Sequence, residues 1–178
     1  MPPTSHIMES PNQKNLKKKN AEYSEKFNNG DLKLPPWKKY AVITCMDARI
    51  DPAAAFGIDL GDAHVIRNAG ACAKDALRSI VISQQLLGTR EILVVKHTDC
   101  GMLTFTNDDI REVVKKELPP AAAVELATLD FLPFPEVEQA VRDDLAFLKQ
   151  TTTIREDTVV SGWVYDVKSG AVKPIAPA

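Results

Sequence analysis

The stretch EILVVKHTDCGM, Glu91–Met102, decides the fold. Its apolar part, Ile92–Val95, is continuous and rich in β-branched residues, as in a strand buried on both faces. Such strands belong to parallel sheets covered by helices. Ligands of parallel sheets bind at the carboxyl ends of the strands. This run ends in His97, with Asp99, Cys100 and Gly101 immediately after it. The whole chain has three histidines and three cysteines, so one of each at this point is a concentration of scarce metal-binding side chains.

Outward from this run, YAVITC (40–45), AHVIR (63–67) and TVVSGWVYDV (158–167) read as three further strands. Between the second and third lies a helix over 73–88, carrying Ala76, Ile80, Leu86 and Leu87, with Gly88 as its stop. Helices are also expected over 106–118, capped by Thr106, and over 135–150, with Pro135 in the first turn and an apolar stripe of Val137, Val141, Leu145 and Leu148. The connection 117–135 is bounded by prolines and leaves room for a short helix at 121–128. The order β, β, α, β, α, α, β predicts an α/β fold with a mainly parallel central sheet flanked by helices. Ahead of it, residues 1–13 read as a loose polar segment. KNLKKKNAEYSEKF (14–27) reads as a helix with Leu16, Asn20, Tyr23 and Phe27 on one side. The expected organisation is therefore an N-terminal helical arm over 1–30 and an α/β domain over 31–178.

Composition narrows the function. A chain of 178 residues with 44% hydrophobic and 26% charged residues suits one globular domain. A net charge of −2 gives no general affinity for nucleic acid or an anionic membrane. No apolar run has the length of a membrane span, and the first residues lack the apolar core of a secretory signal. No arginine precedes Arg49, which argues against a transit peptide. Cys45, Cys72 and Cys100 are too few and too far apart for a disulfide framework, so a reducing compartment, the cytoplasm, is expected.

The first strand ends in TCMDAR, with Cys45, Asp47 and Arg49; the second ends in RNAGA, with Arg67, Asn68 and Gly70. If the first and third strands are neighbours, Cys45, His97 and Cys100 converge. Two thiolates and an imidazole suit Zn²⁺, and three protein ligands leave a fourth position free, as in catalytic sites. The alternative is a hydrogen-bonded core histidine with two small buried thiols. Asp47 has two possible roles: a fourth ligand that closes the site, or an acceptor for a hydrogen bond from a nucleophile, kept ionised by a bidentate pair with Arg49.

CMDAR, GDAHVIRNAGA and VVKHTDCGM, in this order, resemble the β-class carbonic anhydrases, and the inter-motif lengths resemble their compact subgroup. GWVYDVKSG is similar to that family's last strand, and the resemblance spans roughly residues 40–167. It implies one zinc per subunit on Cys45, His97 and Cys100, with Asp47 and Arg49 as the catalytic dyad and Asp47 as a metal ligand in a closed state only. It implies reversible hydration of CO₂ to bicarbonate by zinc-generated hydroxide, a homodimer or homotetramer, and an N-terminal helix packed on the partner subunit. In three-histidine carbonic anhydrases zinc brings the pKa of water to ~7; two thiolates donate more charge, so the effect here is weaker. CO₂ is uncharged, so the pocket should be small and apolar, with Asn68, Ala69, Gly70 and Gly101 as walls and Phe56 or Phe105 contributing. Two alternatives remain: a hydrolase of carbonyl sulfide or carbon disulfide on the same site, and a non-catalytic structural-zinc module. Lys96, directly before a ligand, departs from the family pattern.

Overall fold

In the computed structural model, which describes residues 9–177, Ile92–Val95 lie in the third strand of a five-stranded sheet. The strands are β1 (Tyr40–Cys45), β2 (Ala63–Asn68), β3 (Glu91–His97), β4 (Val159–Tyr165) and β5 (Val172–Ile175), in the spatial order β2-β1-β3-β4-β5. The first four run parallel, and β5 returns antiparallel along β4. Thr44 stands opposite Val95 and Cys45 opposite Asn68, so β1, β2 and β3 finish side by side at one edge of the sheet. The expected α/β architecture is the observed one.

The helices are α1 (Pro11–Ser24), α2 (Pro52–Phe56), α3 (Ala73–Leu87), α4 (Asn107–Glu117), α5 (Pro120–Glu125) and α6 (Val137–Gln150). One face of the sheet, with Ile43, Ile92, Val94 and Val164, packs against Ala76 and Ile80 of α3 and Val141, Leu145 and Leu148 of α6. Each large aliphatic side chain buried there contributes about 1.5–3 kcal/mol. Helix α6 lies so close to β4 that a Cβ on Gly162 would stand 2.4 Å from Val141 Cγ1 and 2.9 Å from Leu145 Cδ1. On the opposite face Val42 and Val95 are buried with Ile58, while Tyr40, Leu93 and Trp163 remain partly exposed.

The chain divides at Leu32 into an N-terminal unit and the unit from Lys33 onward. In the first, residues 1–8 of the expected loose segment lie outside the described residues, but the rest of that expectation needs correction. Ser10 accepts from Gln13 N and Gln13 answers on Ser10 N, a reciprocal cap that starts α1 at Pro11. Helix α1 ends at Ser24, so Phe27 lies beyond it. Leu16 and Tyr23 are exposed.

Within the second unit the differences are local. Glu136, whose carboxylate accepts from Glu138 N and Gln139 N, caps α6 and leaves Pro135 outside the helix. Leu86 lies in α3 as expected and is 76% exposed. Two short elements escaped the sequence reading. Asp51 caps α2 through Ala53 N and Ala54 N, with Gly57 closing it in the left-handed region. Strand β5 contains Pro174, tolerated because the strand is at the edge. No helix among the described residues is long and apolar enough to cross a membrane.

Gly162→Ala is expected to cost about 1–3 kcal/mol of stability by overpacking α6 against β4, read as a lower urea midpoint with an unchanged slope.

Candidate metal centre

Because β1 and β3 are neighbours, Cys45 at the end of one strand meets His97 at the end of the other, and the turn after His97 returns Cys100 to the same place. Their ligand atoms, two Sγ and one imidazole nitrogen, lie within 4.8 Å of one another, and all three residues are buried. Tetrahedral Zn²⁺ with ordinary Zn–S and Zn–N bonds needs ligand atoms about 3.5–4 Å apart. His97 Nδ1 is 2.9 Å from Thr98 O, which assigns the ring proton to Nδ1. Nε2 is then a buried acceptor with no hydrogen-bond partner. A buried nitrogen without a partner, facing two thiols, is the polarity a metal would satisfy.

The two thiols share a proton unequally. Cys45 is favoured as the thiolate by the neighbouring Cys100 thiol, against the cost of burial. Cys100 is pushed upward by the Cys45 thiolate and by burial. Burial opposes the charged form of His97, yet the adjacent Cys45 thiolate leaves its pKa raised. Three groups competing for protons at one point form a donor set that Zn²⁺ would discharge by displacing protons.

Asp47 and Arg49 form the expected bidentate pair. Arg49 Nε is 3.0 Å from Asp47 Oδ1 and Nη2 is 2.8 Å from Oδ2. Arg49 N also donates to Oδ1 at 2.8 Å. The guanidinium holds the Asp47 carboxyl far below the ordinary carboxylate range. With both oxygens engaged, Asp47 Oδ2 is 3.8 Å from His97 Nε2.

Two residues that the sequence placed at strand ends without a role prove structural to the site. Arg49 Nη1 donates to Asp99 Oδ2 at 2.7 Å and Nη2 to Asp99 O at 2.9 Å, tying the β1 end to the His97–Cys100 turn. Arg67 donates to Cys45 O at 3.0 Å and to Asp47 O at 2.7 Å, gripping the backbone of a ligand and of the carboxylate. An unpaired carboxylate between two ligands, and an arginine ending the neighbouring strand, were the available signals.

The expected wall residues separate. Ala69 packs on the cluster of Cys45, Ile50, Ala71, Cys100 and Met102, as do Phe56 and Phe105. Gly70, at φ +72°, is buried, and a Cβ there would come within 2.8 Å of Met102 Cγ. Asn68 instead holds its own turn closed, donating to Cys72 O at 2.9 Å and accepting from Cys72 N at 2.8 Å. Gly101 is exposed, and a Cβ there would meet no atom of the chain within 4 Å. His64 is about 13 Å from the carboxyl end of its strand and lies 2.7 Å from Ser83 Oγ, which lies 2.6 Å from Thr89 Oγ1; its role is structural. Cys72 is half-buried at the start of α3.

Fold and site together define an α/β protein with a buried Cys–His–Cys group that could hold a metal ion. The family model described as carbonic anhydrase matches residues 40–172, and the chain belongs to the β-carbonic anhydrase family. It is 40% identical over 161 residues to beta-carbonic anhydrase 1 of Mycobacterium tuberculosis, covering 89% of this chain and 94% of that one. Its structure matches the carbonic anhydrase from Glaciozyma antarctica with a TM-score of 0.86 at 45% identity, covering 96% of this chain and 98% of that one. It is also 32% identical over 157 residues to a carbon disulfide hydrolase of Saccharolobus solfataricus, covering 76% of each chain. These relationships support an enzyme of the carbonic anhydrase type.

Cys100→Ala is expected to lose zinc on dialysis against a weak chelator that leaves the wild type loaded, measured by atomic emission. Full zinc retention would rule out this ligand set.

Proposed function

We propose that this chain is a zinc-dependent carbonate dehydratase that reversibly hydrates CO₂ to bicarbonate. The observation that carries the reading is the Asp47–Arg49 pair beside a three-donor cluster: both carboxylate oxygens are bound to arginine, so the cluster keeps a free fourth position. Cys45, His97 and Cys100 would hold the metal, which would supply a water acidic enough to act as hydroxide near neutral pH.

The chain's own residues do the rest. Asp47, ionised by Arg49, accepts a hydrogen bond from the nucleophile's O–H and so aims a lone pair at the CO₂ carbon. Arg67 holds the backbone on either side of that carboxylate in place. Ala69, Phe56 and Phe105 supply apolar surface suited to an uncharged substrate. The product bicarbonate leaves by exchange with water.

The 32% identity with a carbon disulfide hydrolase supports one further reading, hydrolysis of carbon disulfide or carbonyl sulfide by the same residues. The structural-zinc module is less well supported, since it needs Asp47 as a permanent fourth ligand. We read the working form as a homodimer or homotetramer in the cytoplasm. The partly exposed sheet face of Tyr40, Leu93 and Trp163 would be covered by a second copy, and the N-terminal helix, with Leu16, Tyr23 and, beyond its end, Phe27 exposed, would pack on the partner. The free thiols Cys45, Cys72 and Cys100 support a reducing compartment.

Asp47→Ala is expected to keep its zinc while CO₂ hydration by stopped flow falls about 10²-fold or more. H₂S release from carbonyl sulfide, measured alongside, assigns the substrate: faster turnover of the sulfur compound would replace the CO₂ reading. Trp163→Glu is expected to shift the wild-type oligomer to monomer in sedimentation velocity; a monomeric wild type would exclude the assembly.

A further inference from the structure

Lys96 is 2% exposed and lies on the side of β3 opposite His97, where an apolar residue would continue the core of Ile92 and Val94. Its ammonium donates to Gly70 O at 2.8 Å and Ala71 O at 3.2 Å, and pairs with Asp144 Oδ2 of α6 at 2.8 Å. The Phe134 ring stands 4.9 Å away. Asp144 Oδ1 also accepts from Ala73 N at 3.2 Å, at the start of α3. One ion pair thus holds three successive points of the turn that joins β2 to α3.

That turn is an unfavourable piece of backbone. Gly70 and Ala71 both have positive φ, at 72° and 54°, and Ala71 pays for its Cβ with strain. Ala71 packs in the same buried cluster as Cys45, Cys100 and Met102. Gly70, next to it, has its carbonyl held by Lys96 and packs closely on Met102 of that cluster. A hydrophobic pair at 96 and 144 would fill the space without a desolvation cost, but would leave two buried carbonyls unanswered and the turn free to relax.

We propose that Lys96, fixed by Asp144, is a positioning residue for the metal site: it sets the 69–71 turn against Cys45 and Cys100, so that the placing of the two sulfur ligands is governed from the far side of the sheet. The inference rests on the zinc reading above. Lys96 acts through the turn, without touching metal or substrate.

The test compares the wild type with Lys96→Met/Asp144→Leu, which removes the donors without stranding a charge. Three readouts are taken: the Tm of metal-free protein, zinc affinity by chelator competition, and the thiolate-to-cobalt charge-transfer band of Co²⁺-loaded protein. The double variant is expected to lower Tm by less than Lys96→Met does, since no charge is stranded, to lose zinc affinity about tenfold or more and to shift the band. Should that variant not fold, Lys96→Met is compared with Ile154→Ala, a destabilised control at a buried residue beyond the end of α6. Lys96→Met is expected to lower Tm by about 10 °C and to lose zinc affinity and shift the band, while Ile154→Ala keeps both. A band present in the wild type and unchanged in the Lys96 variants, with wild-type zinc affinity, would overturn the inference alone. No thiolate band in the wild type would overturn the zinc reading and the inference with it.

Discussion

Parallel pairing of β1 with β3, Thr44 opposite Val95, puts the ends of two strands within a side chain's reach of each other. Cys45 and His97 owe their proximity to this register. A shift by one residue would turn either side chain to the opposite face. The register is secured by what lies behind it: Ile43, Ile92 and Val94, with Val164, interlock with α3 and α6. Thr44 adds a directional bond, donating to Val95 O at 3.0 Å. Thus the apolar core, which has no chemistry of its own, fixes the geometry of the donors.

At the polar end of the strands the charges are arranged in alternation. The Cys45 thiolate, Asp47 and Asp99 are acidic; Arg49 stands between the two aspartates, and Arg67 holds the main chain behind them. Concentrating negative groups around buried sulfur is costly unless cations answer them. Arg49 answers the aspartates. Beside the two thiols stands His97 Nε2, without a hydrogen-bond partner, an incomplete solution that suits a divalent cation.

The sequence was most informative where one residue type has one physical use. Ile92–Val95 read as a buried parallel strand, Thr106 as a helix cap, and Cys45, His97 and Cys100 as a donor set, because period, cap chemistry and ligand type are local properties. Residues whose role depends on distant partners were illegible. Lys96 looked misplaced because Asp144 is on another element and the Gly70 and Ala71 carbonyls belong to a third. Asp99 and Arg67 were visible but unassigned, since only the folded backbone brings Arg49 and the carbonyls of Cys45 and Asp47 to them. Asn68 and Gly101 had been grouped as walls on sequence adjacency alone, but one closes its own turn and the other faces outward. Strand β5 and helix α2 were too short for a periodicity to register.

Arg49 reaches from the end of β1 to both the side chain and the carbonyl of Asp99, a residue at φ +55° lying between two of the donors. The His97–Cys100 turn is therefore bent and latched by the protein itself. In small metal-nucleated folds the ion must gather its ligands and supply the ordering; here that entropy is lost during folding of the sheet. A metal ion held there would meet donors that the fold itself has gathered, and the spacing and softness of those donors would decide which ion suits them.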